Sequence, residues 1–204
     1  MVIVAFDTSM SIFSVAIVRE DGVVASYAAE GKGSRNEKLL PSIDWMLSEA
    51  GIERTTIDRL VVTRGPGSFT GVRIGLAMAR GIGFSLDRPV TALSSHEAAL
   101  GASVGKTLVF SDALRGERYV TGFDGGIEIL PSEVADAERF ESLSRDYPRA
   151  VDLEELIQRE NLAVLAARRA LWLEEQGRLP ADGDATPLYV RLAEAEVRLR
   201  QRQE

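Results

Sequence analysis

Eleven residues, Gly65-Pro66-Gly67-Ser68-Phe69-Thr70-Gly71-Val72-Arg73-Ile74-Gly75, limit what this chain can fold into more than any other stretch. They follow the apolar run Leu60-Val61-Val62, which reads as a buried strand, and they lead into helix-compatible sequence. Strand, glycine loop and helix, in that order, make a contact or ligand loop held on a rigid frame. Gly65 and Gly67 permit backbone angles closed to other residues, Pro66 fixes its own, and Ser68 or Thr70 is placed to cap the helix.

Two catalytic readings of the loop fail at the motif. A Walker phosphate loop has four residues between its glycines and then Lys-Ser/Thr, whereas Gly65 and Gly71 enclose five and Val72-Arg73 follow. A nucleophile elbow has glycine two residues either side of its serine, and here Pro66 and Thr70 flank Ser68.

The helix after the loop has an unusual face. Gly71, Gly75, Ala79 and Gly83 fall at successive i+4 positions and leave one side nearly free of side chains. Glycine inside a helix costs about 1 kcal/mol relative to alanine, so the stripe implies a compensating close approach. Close packing within the chain is one reading and a subunit interface is the other. Arg73 and Arg80 flank the stripe, within reach of acidic residues on a partner or of solvent.

Composition sets the outer limits. With 204 residues and 45% hydrophobic content, the chain can bury one sizeable core or two small ones. The apolar start Val2–Phe6 reaches Asp7 too soon for a secretory signal, no run is long enough to span a bilayer, and the expected compartment is the cytoplasm. Zero cysteines exclude disulfides, thiol catalysis and cysteine-ligated metal. A net charge of −7 argues against unaided binding of long nucleic acid, so any RNA is expected to be gripped mostly by a partner.

Read in order, Val2–Phe6 is a central strand ended by Asp7-Thr8-Ser9, three side chains able to bond phosphate, metal or backbone. Ile12–Val18 and Val23–Ala29 form a hairpin around Glu20-Asp21-Gly22. Ser34 to Glu37 fits a helix capping box, with Leu39, Ile43 and Leu47 on the apolar side of the helix, Pro41 within it and Gly51 at its end. Pro89–Leu93 is another strand, and Ser94-Ser95-His96-Glu97 opens a second capped helix, which places the sole histidine, His96, as a surface residue. The boundary between two lobes is expected at Gly101–Gly105. Leu108–Asp112, then Arg118–Phe123 and Ile127–Leu130 around Asp124-Gly125-Gly126, repeat the strand, Asp turn and hairpin of the opening and point to a duplicated unit. Residues 136–145 and 153–176 read as helices, and Leu188-Tyr189-Val190 as a short strand or extended segment before a charged tail.

The glycine string, Asp7-Thr8-Ser9, the Leu39-Leu40-Pro41 helix, Asp112-Ala113 through Glu117-Arg118-Tyr119, and Pro187-Leu188-Tyr189-Val190-Arg191 together resemble the bacterial TsaB family, also called YeaZ. The resemblance implies an α/β, two-lobed actin-like ATPase (ASKHA) fold with duplicated ribonuclease H-like domains. It further implies membership of the machinery that places threonylcarbamoyl, from threonylcarbamoyl-adenylate, on the adenosine beside the anticodon of tRNAs reading A-starting codons. In that family the subunit is not the catalyst: it pairs with a TsaD-like subunit that holds the metal, and a TsaE-like ATPase joins them. Similar but catalytic sequences carry two metal-binding histidines where this chain reads Ser34-Arg35-Asn36-Glu37-Lys38. Arg35 replaces the single histidine common in TsaB relatives, and His96 replaces a leucine.

The expectation is therefore a first lobe over residues 1–103 that docks partners, a compact second lobe over 104–187, and a tail over 188–204 that returns to the first lobe. The docking face is assigned to Leu39, Ile43, Leu47, Gly71, Arg73, Gly75, Ala79, Arg80 and Gly83. It serves a homodimer when the chain is alone and a heterodimer with the TsaD-like subunit otherwise, so that Gly75→Leu should break binding and spare the fold. Asp7, Thr8 and Ser9 are candidate neighbours of a nucleotide. No cofactor or metal of its own is expected, with ATP or ADP and a metal ion in the partner subunits, tRNA reached through the complex and no membrane. The rival readings are an autonomous small-molecule kinase of the same superfamily, against which stands the absence of a second phosphate loop, and a peptidase, for which one histidine and no cysteine leave no zinc or thiol site.

Overall fold

The computed structural model describes residues 1–30, 35–179 and 185–191. The Ser34 capping box and the tail beyond Arg191 lie outside the described residues or, for Arg35 and Asn36, outside the described side chains.

Two mixed sheets carry the chain. Strands β1 (Val2–Asp7), β2 (Ile12–Arg19), β3 (Gly22–Glu30), β4 (Arg59–Thr63) and β5 (Val90–Leu93) form the first, in the order β3-β2-β1-β4-β5. Strands β6 (Thr107–Asp112), β7 (Arg118–Asp124), β8 (Ile127–Ala135) and β9 (Arg149–Asp152) form the second, in the order β8-β7-β6-β9. The pairing repeats: β1 runs antiparallel to β2 and parallel to β4, as β6 does to β7 and β9. The protein is thus a two-lobed α/β molecule of the actin-like type built on a duplicated strand unit. Strand β9 was not legible in the sequence, because four residues, two exposed and two half-buried, carry no alternation to read.

Helices set the layers. Helix α1 (Arg35–Glu49) and helix α2 (Phe69–Leu86) cover one face of the first sheet, burying Leu39, Ile43, Met46, Leu47, Val72, Leu76 and Ala79 against Val4, Phe6, Val15, Leu60 and Val62. On its other face lie the short helix α3 (Ser95–Ala98) and α6 (Leu162–Glu175), which also meet Val109 and Phe123 of the second sheet and Leu153 of α5 (Leu153–Leu156). Helix α4 (Ala137–Asp146) covers the far side of the second sheet through Leu143, beside Tyr147. Helix α6 packs mainly on β1, β2 and β4, so the expected second lobe over 104–187 is too long: its last helix belongs to the first lobe and forms the layer between the sheets. The reason is composition, since Leu162, Ala163, Ala166, Ala167 and Ala170 are small or apolar on more than one side and are buried between two surfaces. The single helix expected over 153–176 is two helices, and Asn161 starts the second by accepting from the Val164 amide.

The glycine stripe of α2 faces inward. A Cβ on Gly71 would overlap the Thr8 carbonyl, one on Gly75 would lie 2.6 Å from Thr8 Oγ1 and 3.3 Å from Val62, and one on Gly83 would lie 2.7 Å from Val90. Gly71, Gly75, Ala79 and Gly83 therefore seat α2 against the chain's own sheet, and their assignment to a partner interface is corrected. Leu39, Ile43 and Leu47 are likewise sealed in the first core. Of the expected docking residues, Arg73 and Arg80 are exposed.

The same helix offers a matched pair of tests. Gly71→Ala and Gly75→Leu overpack a rigid contact, and each is expected to lower the stability of the isolated chain in urea by about 3 kcal/mol or more. Gly81→Ala, with nothing within 4 Å of the added methyl, is expected to raise it by about 0.5–1 kcal/mol, by removing a helical glycine.

Candidate functional site

The turn after β1 is a closed hydrogen-bonded box. Asp7 Oδ1 accepts from the Ser9 amide (3.1 Å), the Ser9 hydroxyl (2.6 Å) and the Thr63 hydroxyl, and Asp7 Oδ2 accepts from the Met10 amide (3.1 Å). Thr8 Oγ1 donates to the Gly71 carbonyl at 2.7 Å, the Ser68 amide donates to the Ser9 carbonyl at 2.8 Å, and the hydroxyls of Ser9 and Ser95 are 3.2 Å apart. All three residues are at most 2% exposed. Burying a carboxylate and two hydroxyls is tolerable because nearly every lone pair finds a donor. A phosphate would have to displace these bonds and the glycine loop, since a Cβ at Gly67 would already stand 2.9 Å from the Ser9 carbonyl. The box pins β1, β4, the glycine loop and α3 together, so Asp7, Thr8 and Ser9 serve as a joint, and of the three only Ser9 lines an adjoining cavity.

The glycine loop follows from its residues. Gly65 (φ 98°) and Gly67 (φ 158°) take backbone angles that side chains disfavour, and Ser68 caps α2 by accepting from the Gly71 amide at 3.3 Å. At the C-terminus of α2, Asp87 is left-handed (φ 53°) and the Arg88 amide donates to the Gly83 carbonyl at 2.9 Å.

Facing this loop across the lobes is the turn between β6 and β7. Leu114 (φ 65°), Arg115 (φ 57°) and Gly116 (φ 79°) are consecutively left-handed, a strained run held by Asp112 Oδ1 accepting from the Leu114 amide at 2.8 Å and by the Ala113 amide donating to the Glu117 carbonyl at 3.0 Å. Leu114 is 68% exposed and projects into the space between the lobes. Two cavities that share Gly67, Leu114 and Tyr119 occupy that space. One, about 280 Å³, is lined by Ser9, Ser11, Ser68, Asp112 and Glu154; the other, about 360 Å³, is lined by Phe69, Val72, Tyr189 and Arg191. Burial pushes the Glu154 carboxyl above the usual carboxylate range, partly offset by the Asp112 amide it accepts from at 3.2 Å. Among the described residues the first cavity is lined by the carboxylates of Asp112 and Glu154 and by no arginine, a charge balance that disfavours phosphate.

Residues 187–191 pair with no strand, and Leu188, Tyr189, Val190 and Arg191 line the second cavity. The Leu188 amide donates to the Arg64 carbonyl at 2.8 Å, Tyr189 stacks on Phe69 with ring centres 5.0 Å apart, and Arg191 donates to the Ala113 carbonyl at 3.1 Å and to Glu117. The tail thus touches the first lobe at Arg64 and Phe69 and the second lobe at Ala113 and Glu117.

The lobes are also joined through the middle layer. Arg169 of α6 has no exposed surface; it donates to Glu97 of α3 and to the Gly126 carbonyl in the β7–β8 turn, and lies 4.3 Å from the centre of the Trp172 ring. Glu97, expected to complete a capping box, serves this arginine instead, while Ser94 caps α3 by accepting from the Glu97 amide at 2.9 Å. His96 is fully buried, correcting its expected surface position: its Nδ1 is 2.7 Å from the Thr121 hydroxyl and its Nε2 is 2.9 Å from the Ser111 hydroxyl, both in the second lobe. Position after an N-cap suggested solvent, but α3 is only four residues long and lies between the sheets.

A family model described as TsaD, tRNA N6-adenosine threonylcarbamoyltransferase, matches residues 14–175. The chain is 38% identical over 122 residues to the tRNA threonylcarbamoyladenosine biosynthesis protein TsaB of Bacillus subtilis, covering 58% of this chain and 53% of that protein. It is 35% identical over 124 residues to the Escherichia coli protein of the same name, with the same two coverages. It spans about half the length of the curated relatives it matches. The solved structure of YeaZ from Pseudomonas aeruginosa superposes with a TM-score of 0.67 at 24% identity, over 92% of this chain and all of the other, which supports the fold. The fold and these matches define the class, a two-lobed protein of actin-like fold. The chain belongs to the TsaD family and to its TsaB/YeaZ members.

His96 yields a pH test. Burial holds its imidazole down at about 3, against 6.5 for an exposed histidine. Above pH 6.5 neither folded nor unfolded chain carries the proton; below it the unfolded chain takes up a proton that the folded one refuses. Stability attributable to His96 therefore falls, by about 1.4 kcal/mol per pH unit at most, between pH 6.5 and 3. Comparing the wild type with His96→Leu in urea, the wild type is expected to lose about 1.6 kcal/mol more between pH 6.5 and pH 5; parallel profiles would contradict the buried neutral imidazole.

Proposed function

We propose that this chain is the non-catalytic partner subunit of the complex that forms threonylcarbamoyladenosine in tRNAs reading A-starting codons, and that it binds and supports a TsaD-like catalytic subunit. The names of its relatives supply the pathway. The observation that carries the role is the division of labour within α1 and α2. Their inner sides are committed to the core, and their outer sides, on one rigid face of the first sheet, leave large apolar groups in water: Leu40 is 42%, Trp45 59% and Phe84 92% exposed.

Exposed aromatic and arginine side chains on a rigid frame are what partner surfaces are made of. The docking face therefore keeps its two helices but is read from their other side: Leu40 and Trp45 on α1, and Arg73, Ala77, Arg80 and Phe84 on α2, the last four spaced to share one outer stripe. The same face serves a homodimer when the catalytic subunit is absent, so the two assemblies compete. The closed box at Asp7, Thr8 and Ser9 supports leaving the nucleotide and metal chemistry to the TsaD-like and TsaE-like subunits. A chain with a net charge of −7 reaches tRNA through the complex.

Trp45→Glu and Phe84→Glu alter exposed positions and are expected to change stability by about 0.5 kcal/mol or less. Each is expected to weaken binding to the TsaD-like subunit by about 100-fold in calorimetric titration, the loss typical of a central aromatic contact. Undiminished affinity in both would overturn the docking face.

A further inference from the structure

We propose that Tyr189 is a positioning residue that holds Arg73 ready for a carboxylate of the docking partner, and that residues 187–191 tie this arginine to the second lobe. The inference rests on the docking reading above and specifies its chemistry.

Arg73 sits on the outer side of α2, yet its guanidinium is fixed. Its Cζ lies 3.8 Å from the centre of the Phe69 ring and 5.9 Å from that of Tyr189, and its Nε donates to the Tyr189 hydroxyl at 2.8 Å. Phe69 and Tyr189 are themselves stacked, with 24° between their planes. Among the described residues Tyr189 is the sole hydrogen-bond acceptor for Arg73, which leaves the two terminal nitrogens with their four N–H groups unused. An arginine held flat on an aromatic ring and anchored at Nε offers that fork to a planar anion, and a carboxylate takes it with two parallel bonds. An exposed arginine normally gives up rotamer freedom on binding; one already fixed gives up less, so the contact gains affinity through preorganisation.

Tyr189 is not held by α2 alone. The strap is anchored one residue earlier by the Leu188 amide on the Arg64 carbonyl, and two residues later by Arg191 on the Ala113 carbonyl and Glu117. Arg191 grips the strained turn of the second lobe, so the order of Arg73 depends on a contact in the other lobe. By linkage, whatever fastens the strap favours docking, and docking in turn fastens the strap.

The test reads the Arg73 Nε–H directly by nuclear magnetic resonance in the full chain, with exposed Arg80 of the same helix as internal control. In the wild type the Arg73 Nε–H is expected to exchange with water at least about tenfold more slowly than that of Arg80. Tyr189→Phe, which keeps the ring stack and removes the acceptor, and Arg191→Ala, in contact with the other lobe, are both expected to bring it to the rate of Arg80. The same two variants should bind the TsaD-like subunit about tenfold more weakly, while Arg80 signals and urea stability stay unchanged. Equal exchange at Arg73 and Arg80 in the wild type would overturn the proposal, and so would loss of protection with unchanged affinity. If the wild type binds no TsaD-like subunit at all, the docking reading falls and takes the carboxylate assignment with it, while the exchange rates still decide whether the strap orders Arg73.

Discussion

Everything else in the molecule depends on how closely helix α2 lies against the end of the first strand. Three glycines and an alanine on its inner side bring the helix backbone to the Thr8 carbonyl and side chain, near enough for the Thr8 hydroxyl to reach the Gly71 carbonyl at 2.7 Å. No larger side chain fits there. That contact closes the box around Asp7, fixes the glycine loop on the Ser9 carbonyl, and by fixing the inner side of α2 determines which residues it turns to solvent. The conformational cost of glycine in a helix is offset by this close packing on the chain's own sheet.

The second constraint is the layer between the sheets. Helix α6 lies on the first sheet and reaches the second through Arg169 and Trp172, and α3 reaches it through His96. A buried arginine bound to a carboxylate and a carbonyl, and a buried imidazole between two hydroxyls, are directional contacts that a shift between lobes would break at high cost. In an actin-like frame that opens and closes around a ligand such ties would resist the motion. In a frame that serves as a rigid support they suit the task, because a docking face transmits nothing unless it is held still.

Much of the architecture was legible in the sequence because it rests on local chemistry. The two hairpins announced themselves through Glu20-Asp21-Gly22 and Asp124-Gly125-Gly126, and Ser68 and Ser94 mark helix starts that the structure contains. The glycine stripe showed that something approaches α2, but a period of four residues does not say from where; the approaching surface proved to be Thr8, Val62 and Val90. His96 misled for a related reason, since its neighbours in sequence are polar while its neighbours in space are Ser111 and Thr121 of another lobe. The stack of Phe69, Arg73 and Tyr189 joins positions up to 120 residues apart, from Phe69 to Tyr189, and no local signal carries such a contact.

A chain that works as a docking support acts by being bound. The most direct test is reconstitution of threonylcarbamoyladenosine formation on tRNA from purified TsaD-like and TsaE-like subunits, with this chain added or withheld and with its own ATP turnover measured in parallel. The chain alone is expected to show no turnover, and tRNA modification is expected to rise with added chain to a stoichiometric plateau. Turnover by the isolated chain, or modification that proceeds equally well without it, would contradict the account.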